Sequence, residues 1–376
     1  MAAHNTRNTL LAAAMLLQDD DSDSNDESME TISPFICIWA SLLQGDEKAR
    51  IRNYVENVVP LYTDTDFRRM FRMNLSTYKA LINYLQDLPG LQPAGPGRRD
   101  AIPLNSQILL TLWYLGGVDT IAKIADRFGM SDSSVVLCRD RVLSAIVNLR
   151  HKLIVWPSRQ EMVEEADIFS KRNGFPGIVG AIDGTHIKIR APSLHPQSYV
   201  NRKGYHSLQL QCVCHHNMFS DVFTGYPGSC HDARALKNSD LWSKGLMRCN
   251  MVYHGLGDGT YPLRRWLLTP YRDNGHLTQG EKKYNFYHSG NRVVIERAFA
   301  LLKSRFRRIH HIDSPKVSTV VDIIMASCVL HNICIKQNDN IDEFLSQDGA
   351  AINVNLIQDH NTEGMLKRNN ITRNLV

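Results

Sequence analysis

The stretch GIVGAIDGTHIKI, residues 177–189, sets the fold class. Its apolar run from Ile178 to Ile182 reads as a buried strand, and HIKIR (186–190) carries it on with period-two alternation. Asp183 stands at the end of that run, where an ionised carboxylate left unpaired would cost several kcal/mol. On an extended chain Asp183, Thr185 and Ile187 share one face. Further on, LQLQCVC (208–214) alternates in the same way and VFTGY (222–226) is rich in β-formers. Before the strands, from about 46 to 165, the periodicity is helical, as in ALINYLQDL (80–88) and LLTLWYL (109–115), with LQPAGPGRRD (91–100) a loop between them. After them come VVIERAFALLKSRF (293–306) and VVDIIMASCVLHNICI (320–335), again helical. Helices, then strands, then helices predict an α/β (α+β) fold with a helical N-terminal domain. The expected divisions are an acidic, largely disordered leader (1–45), a helical domain (46–165), the sheet domain (166–335) and a flexible tail (336–376).

Of the 38 acidic residues, seven crowd into DDDSDSNDESME (19–30), so the remaining 31 face all 43 lysines and arginines, a balance of +12. Such a body suits a polyanionic partner, although charge alone also serves solubility. A hydrophobic fraction of 43% excludes wholesale disorder, and no stretch reads as a run of about 20 apolar residues, so no membrane role is expected. The eight cysteines form no CxxC pair, which reads as buried thiols in a reducing compartment. LLAAAMLL (10–17) has signal-peptide length, but an acidic run follows where a cleavage site would stand.

IAKIADRFGMSDSSVVLCRDRVLSAI (121–146) has helix-turn-helix residue types: small Ala125 for a helix crossing, Gly129 for a left-handed turn and Val135 as an apolar anchor. Ser131 and Asp132 can cap the second helix, leaving Ser133, Ser134, Arg139 and Arg141 as candidate DNA-facing side chains. A hairpin that merely packs is the competing reading.

Four carboxylates are singled out by position. Asp183 ends a buried strand. Asp232, in YPGSCHDAR, follows a strand and opens a helix, where an N-cap role competes. Asp258, in MVYHGLGDGTYPL, leaves another strand between two glycines. Glu296 lies on a helix where Arg292, Glu296, Lys303 and Arg307 form a stripe about 90° from the apolar line Ile295, Phe299, Leu302 and Phe306. Hard oxygen ligands from separate segments suit Mg²⁺ or Mn²⁺, and two such ions can activate a water and stabilise the departing oxygen of a phosphodiester. His186, His206, His215, His216 and His231 cluster in the same region and raise a zinc alternative, but no HExxH spacing accompanies them.

AIDGTHI, YVNRKGYHS, PGSCHD, GDGTYPLRRWLLTPYR and VVIERAFALLKSRFR occur in this order, and together they resemble the Harbinger (PIF/Harbinger) transposases and the nucleases derived from them, a branch of the DDE superfamily. The likeness covers roughly residues 60–335. It implies an RNase H-like catalytic domain, a mixed sheet with flanking helices, with Asp183, Asp258 and Glu296 as the DDE triad and Asp232 as a further metal ligand. The spacings of 49, 26 and 38 residues between successive acids are similar to the family's. Ala300, the His254-Gly255 pair and His215 depart from the family pattern and leave room for a repurposed copy. The resemblance also implies a separate Myb-like protein that helps bind DNA and enter the nucleus, with cytoplasmic residence in its absence; a homo-oligomer is compatible. Charge and position nominate Arg202, Lys203, Lys303, Arg307 and Arg139 as DNA contacts.

The leading expectation is therefore a transposase-derived, divalent-metal-dependent DNA endonuclease. The alternative is a domesticated protein that binds DNA or a Myb-like partner without cutting. Four carboxylates near DNA favour the enzyme, because acids repel phosphates unless a cation intervenes.

Overall fold

The structure, a computed structural model, describes residues 50–88, 91, 102–339 and 361–375. The acidic leader and nearly all of LQPAGPGRRD lie outside the described residues. Helix α1 (Asp64–Phe71) starts on a capping box: the Asp66 N–H donates to Thr63 Oγ1 (3.2 Å) and the Thr63 N–H donates back to Asp66 Oδ2 (3.4 Å). It buries Phe67 and Phe71 beside α2 (Leu75–Leu85). Helix α3 (Leu104–Gly116) is apolar almost all round and is accordingly buried on most sides. Helices α4 (Ile121–Arg127) and α5 (Asp132–Asn148) form the expected hairpin, with Ala125 and Val135 buried and the Ser131 hydroxyl accepting from the Ser134 N–H at 3.1 Å. Gly129 turns between them at φ +66, and a Cβ there would meet the Ile51 carbonyl oxygen at 2.7 Å. Helix α6 (Arg159–Asn173) leads into the sheet.

The mixed sheet contains β1 (Ile178–Ile189), β2 (Ser207–His215), β3 (Met218–Pro227), β4 (His254–Leu256), β5 (Leu267–Leu268) and β6 (His311–Ile312). Its order is β3-β2-β1-β4-β5, and β6 pairs with the far end of β1. The β1–β2 and β2–β3 pairs are antiparallel, whereas β4 lies parallel to both β1 and β5. Helices α7 (Asp232–Lys237) and α8 (Asp240–Arg248) connect β3 to β4. Then come α9 (Gln279–Arg305), α10 (Val317–Lys336) and α11 (Thr362–Asn374).

Alternation sends the two faces of the sheet into different cores. Ala181, Ile187, Leu208, Leu210 and Cys212 join Ile295, Phe299 and Leu302 of α9 and a core that continues into the N-terminal helices. Val179, Ile182 and Val213 pack instead with Met162 of α6, Leu236 of α7 and Leu241 of α8. Because both faces are covered, β2 is buried at every residue, including Gln209 and Gln211. The same packing explains α10, the one described helix long and apolar enough to cross a membrane: 67% of its apolar window is buried in the protein, largely against β3 and α5. The seven described cysteines are free thiols, and six of them are buried.

The expectation of a loose tail from 336 onward fails at α11. Its Ile371 and Leu375 are buried, and Lys367 Nζ donates to the carbonyls of Val252 (2.6 Å), Tyr253 (3.0 Å) and Arg265 (3.1 Å). The segment is polar in composition because it uses charged side chains to satisfy strand-end carbonyls, a role that apolar periodicity does not report.

At the β2–β3 turn, His216 Nδ1 lies 2.6 Å from Glu165 Oε1 on α6. That hydrogen bond raises the His216 pKa above its ordinary value, with burial opposing. A histidine with a raised folded pKa contributes its stability fully below the unfolded value of about 6.5, and the contribution disappears as pH rises through the folded value. Melting temperatures of wild type and His216→Gln should therefore differ most below about pH 6 and converge as pH rises above the ordinary histidine range. Parallel curves would dismiss the clamp.

Candidate active site

The parallel pairing of β1 with β4 sets the site. Ala181 is in register with Leu256, so two residues further along Asp183 and Asp258 leave adjacent strand positions level with each other. Asp183 points to the α9 face with Thr185. The Gly184 N–H donates to Asp183 Oδ1 (2.8 Å) and Arg292 Nη2 donates to Oδ2 (3.0 Å). The same guanidinium lies 3.9 Å from Glu296 Oε1, one turn on in α9. Arg292 thus joins the two acids, while Glu296 itself remains 58% exposed at the side chain. Burial pushes the Asp183 carboxyl up to about 7; Arg292 opposes, and the charges of Asp258 and Asp232 add to the rise.

Asp232 arrives from the other side. It is the first residue of α7, and it accepts from Gln209 Nε2 and from Thr260 Oγ1 (3.3 Å). A Cβ on Gly184 would come within 2.5 Å of Asp232 Oδ1, so only glycine admits this approach. Since Gly184 faces opposite to Asp183, the β1 backbone stands between those two carboxylates. Thr260 ties Asp232 to Asp258, because its one hydroxyl proton lies within hydrogen-bond reach of both carboxylates and its N–H donates to Asp258 Oδ1 at 2.9 Å. Burial, then Asp258, raises the Asp232 pKa, against the bonds from Thr260 and Gln209. Among the described residues the buried Tyr261 hydroxyl meets no hydrogen-bond partner, and it feels all three aspartates.

The four acids therefore do not sit in one symmetric cage. Asp183 and Asp258 are neighbours in register, Asp232 reaches Asp258 through Thr260, and Glu296 reaches Asp183 through Arg292. Among the described residues no three His, Cys, Asp or Glu side chains stand in metal-holding array. The donor set is nevertheless all oxygen, crowded and mutually repelling around Asp258, which is the chemistry that a hard divalent cation relieves. The histidines offer no rival centre. His186 is hydrogen-bonded to Ser207 (3.1 Å), His231 to Arg202, and His216 to Glu165.

The nominated cations divide into two groups. Arg202 and Lys203 are exposed on the 200–206 loop, which is closed by the Val200–His206 bridge; Arg202 lies against His231, next to Asp232. Lys303 Nζ donates to Thr185 Oγ1 at 2.6 Å. Burial, then the charge of Lys203, lowers the Lys303 pKa, while Asp183 raises it. These three border the acid site. Arg139 does not: it is 8% exposed, paired to Asp140 (2.6 Å) and laid over the Tyr114 ring at 4.9 Å, so it braces the helical core instead of facing DNA. Arg307 is exposed but off the predicted stripe, because α9 stops at Arg305 and Phe306 leaves helical geometry (φ −106, ψ 79).

Sequence reasoning missed the roles of Gln209, Thr260 and Tyr261 and read Arg292 only as a member of the stripe that carries Glu296. Gln209 and Gln211 left a signal, since polar residues on a strand buried on both faces require partners.

The family described as DDE superfamily endonuclease matches residues 182–332. The chain is similar to the protein named "Putative nuclease HARBI1" of Homo sapiens, with 34% identity over 273 residues, covering 70% of this chain and 76% of that one. It is also similar to "Protein ALP1-like" of Arabidopsis thaliana, 29% identical over 75% of this chain and 74% of that one. A third relative is the "Probable transposase for insertion sequence element IS702" of Microchaete diplosiphon, 22% identical over 66% of this chain and 89% of that one. No solved structure matches the chain.

Proposed function

The chain belongs to the Harbinger transposase-derived nucleases of the DDE superfamily, and from that premise we propose that it is a divalent-metal-dependent endonuclease acting on DNA phosphodiesters. The observation that carries this reading is the register that sets Asp183 level with Asp258, with burial and neighbouring acids pushing Asp183 to about 7. Asp183 and Asp258, with Glu296, would hold Mg²⁺ or Mn²⁺, and Asp232 supports Asp258 through Thr260. When bound, such ions activate water and stabilise the departing oxygen. The chain's own residues do the rest. Arg292 orients Asp183 and Glu296, Thr260 fixes the rotamer of Asp258, and Arg202, Lys203 and Lys303 face the phosphates that flank the scissile bond.

A Myb-like protein that delivers the enzyme to its DNA and to the nucleus belongs to the same proposal. The second reading, a binding protein without cleavage, draws support from one observation: no three acids are already arrayed for a metal among the described residues. Labelled duplex DNA incubated with Mg²⁺ or Mn²⁺, alone and with a Myb-like partner, separates them. Cleavage that chelator abolishes is the expected result; retained duplex binding with no cleavage under any of these conditions would establish the second reading instead. Lys303→Ala should weaken the metal-dependent reaction through phosphate contact without lowering the unfolding free energy by more than about 1.5 kcal/mol, the scale of one hydrogen bond.

A further inference from the structure

The end of α9 and the end of α1 meet at one surface. Arg305 closes α9, and its Nη1 donates at 2.6 Å to the carbonyl of Arg72, the left-handed residue (φ 62) that ends α1. Arg307, two residues beyond, is brought beside that turn, and α1 contributes Arg69 from its last turn. Arg69 and Arg307 are exposed, while Arg72 is half-buried, its Cγ 2.7 Å from where a Cβ on Gly116 would lie. Burial, then the charges of Arg307 and Arg69, lowers the pKa of Arg72, so three like charges face one another across two elements distant in sequence. The acids of α1, Asp64 and Asp66, lie at its other end, where Asp66 is engaged in the capping box.

We propose that Arg69, Arg72 and Arg307 form a second clamp for the phosphate backbone of duplex DNA, holding the flank of the substrate beyond the acid site. The inference rests on the DNA-endonuclease reading and deepens it. Guanidiniums suit repeated phosphates better than ammoniums do, because each presents a planar fork of donors. Distance fits as well: from Glu296 to Arg305 the helix rises about 14 Å, roughly four base pairs along a duplex. Lys303 lies two residues before Arg305 on that segment and borders the acid site through Thr185 of β1, with Lys203 near it, so the arginine cluster continues the basic surface from there instead of repeating it.

The test is anisotropy of labelled random duplexes in chelator, across a salt series, with full-length wild type and Arg69→Gln/Arg307→Gln. Both residues are exposed, so the melting temperature should match wild type. The plot of log affinity against log salt should flatten by up to two contacts of about 0.9 each, equally for every sequence. The change should be large on a long duplex and small on one too short to reach from the acid site to α1. Arg69→Lys/Arg307→Lys should restore most of the slope if a thermal shift shows that the Gln variant has lost its fold. An unchanged slope on the long duplex, with wild type binding normally, overturns the clamp. Wild type that binds no duplex even at low salt would sink the DNA reading itself. Competition by an acidic peptide alone would assign the arginines to a protein partner and overturn the clamp too.

Discussion

Asp183→Asn should abolish metal-dependent cleavage and, in chelator, make the protein more stable than wild type at pH 8. The loss of cleavage follows from removing the carboxylate that stands level with Asp258. The gain in stability follows from linkage. Burial first, and then Asp258 and Asp232, hold the Asp183 carboxyl at about 7 against Arg292 and the Gly184 N–H. The unfolded chain releases that proton near pH 4. Between these values the folded protein binds more protons than the unfolded one, so stability falls as pH rises from about 4 to 7 and stays reduced above. Asn carries no such penalty. The expected gain at pH 8 is on the order of 3 kcal/mol, shrinking to nearly nothing at pH 4. Mg²⁺ or Mn²⁺ should stabilise wild type and leave the variant unmoved, because a ligand that binds only the folded state adds stability by mass action. Melting curves over pH 4–9, with chelator and with metal, read both effects; a variant less stable than wild type at pH 8 in chelator would show that the pair with Arg292 outweighs desolvation.

The second large effect lies in the core. Arg305 and Asp339 form an ion pair (3.2 Å) whose side chains are 2% and 0% exposed. The pair joins three segments: Arg305 also donates to the carbonyls of Arg72 and Asp339, and Asp339 Oδ2 accepts from the Asn74 N–H at 2.6 Å. Asp339 Oδ1 is near the guanidinium but outside hydrogen-bond geometry, so its attraction is electrostatic. Breaking a buried pair leaves an uncompensated charge, and Asp339→Ala should cost about 3–5 kcal/mol. Asp339→Ala/Arg305→Leu should recover part of that loss, since replacing both charges removes the desolvation penalty. Denaturant unfolding measures the set. A loss below about 1 kcal/mol in the single variant would mean that water reaches the pair.

Much of the site was legible before any packing was known. The Ile178–Ile182 run announced the central strand, and Asp183 at its end and Asp258 beyond a later strand carry their positions in local pattern alone. The stripe Ile295, Phe299, Leu302 and Phe306 is buried as its period required. Arg139 misled because an arginine on a helix flank has the same sequence signature whether it faces solvent or lies over Tyr114. The stripe through Arg307 misled, because helical periodicity was extended past Phe306, where the backbone turns to meet α1; Arg307 itself is exposed beside that turn.

The sequence by itself determined which residues alternate along each strand, which stripe of each helix is apolar and which acids stand at element ends, because those properties depend on neighbours within one turn or one pleat. The tertiary structure alone decided that Asp232 meets Gly184 across β1 from Asp183, that Arg292 bridges Asp183 and Glu296, and that α11 satisfies the carbonyls of Val252, Tyr253 and Arg265. Those contacts link residues up to 115 positions apart, as between Lys367 and Val252. Local pattern holds no record of which distant element will cover a face, so the partner of a buried charge is fixed only when the chain closes around it.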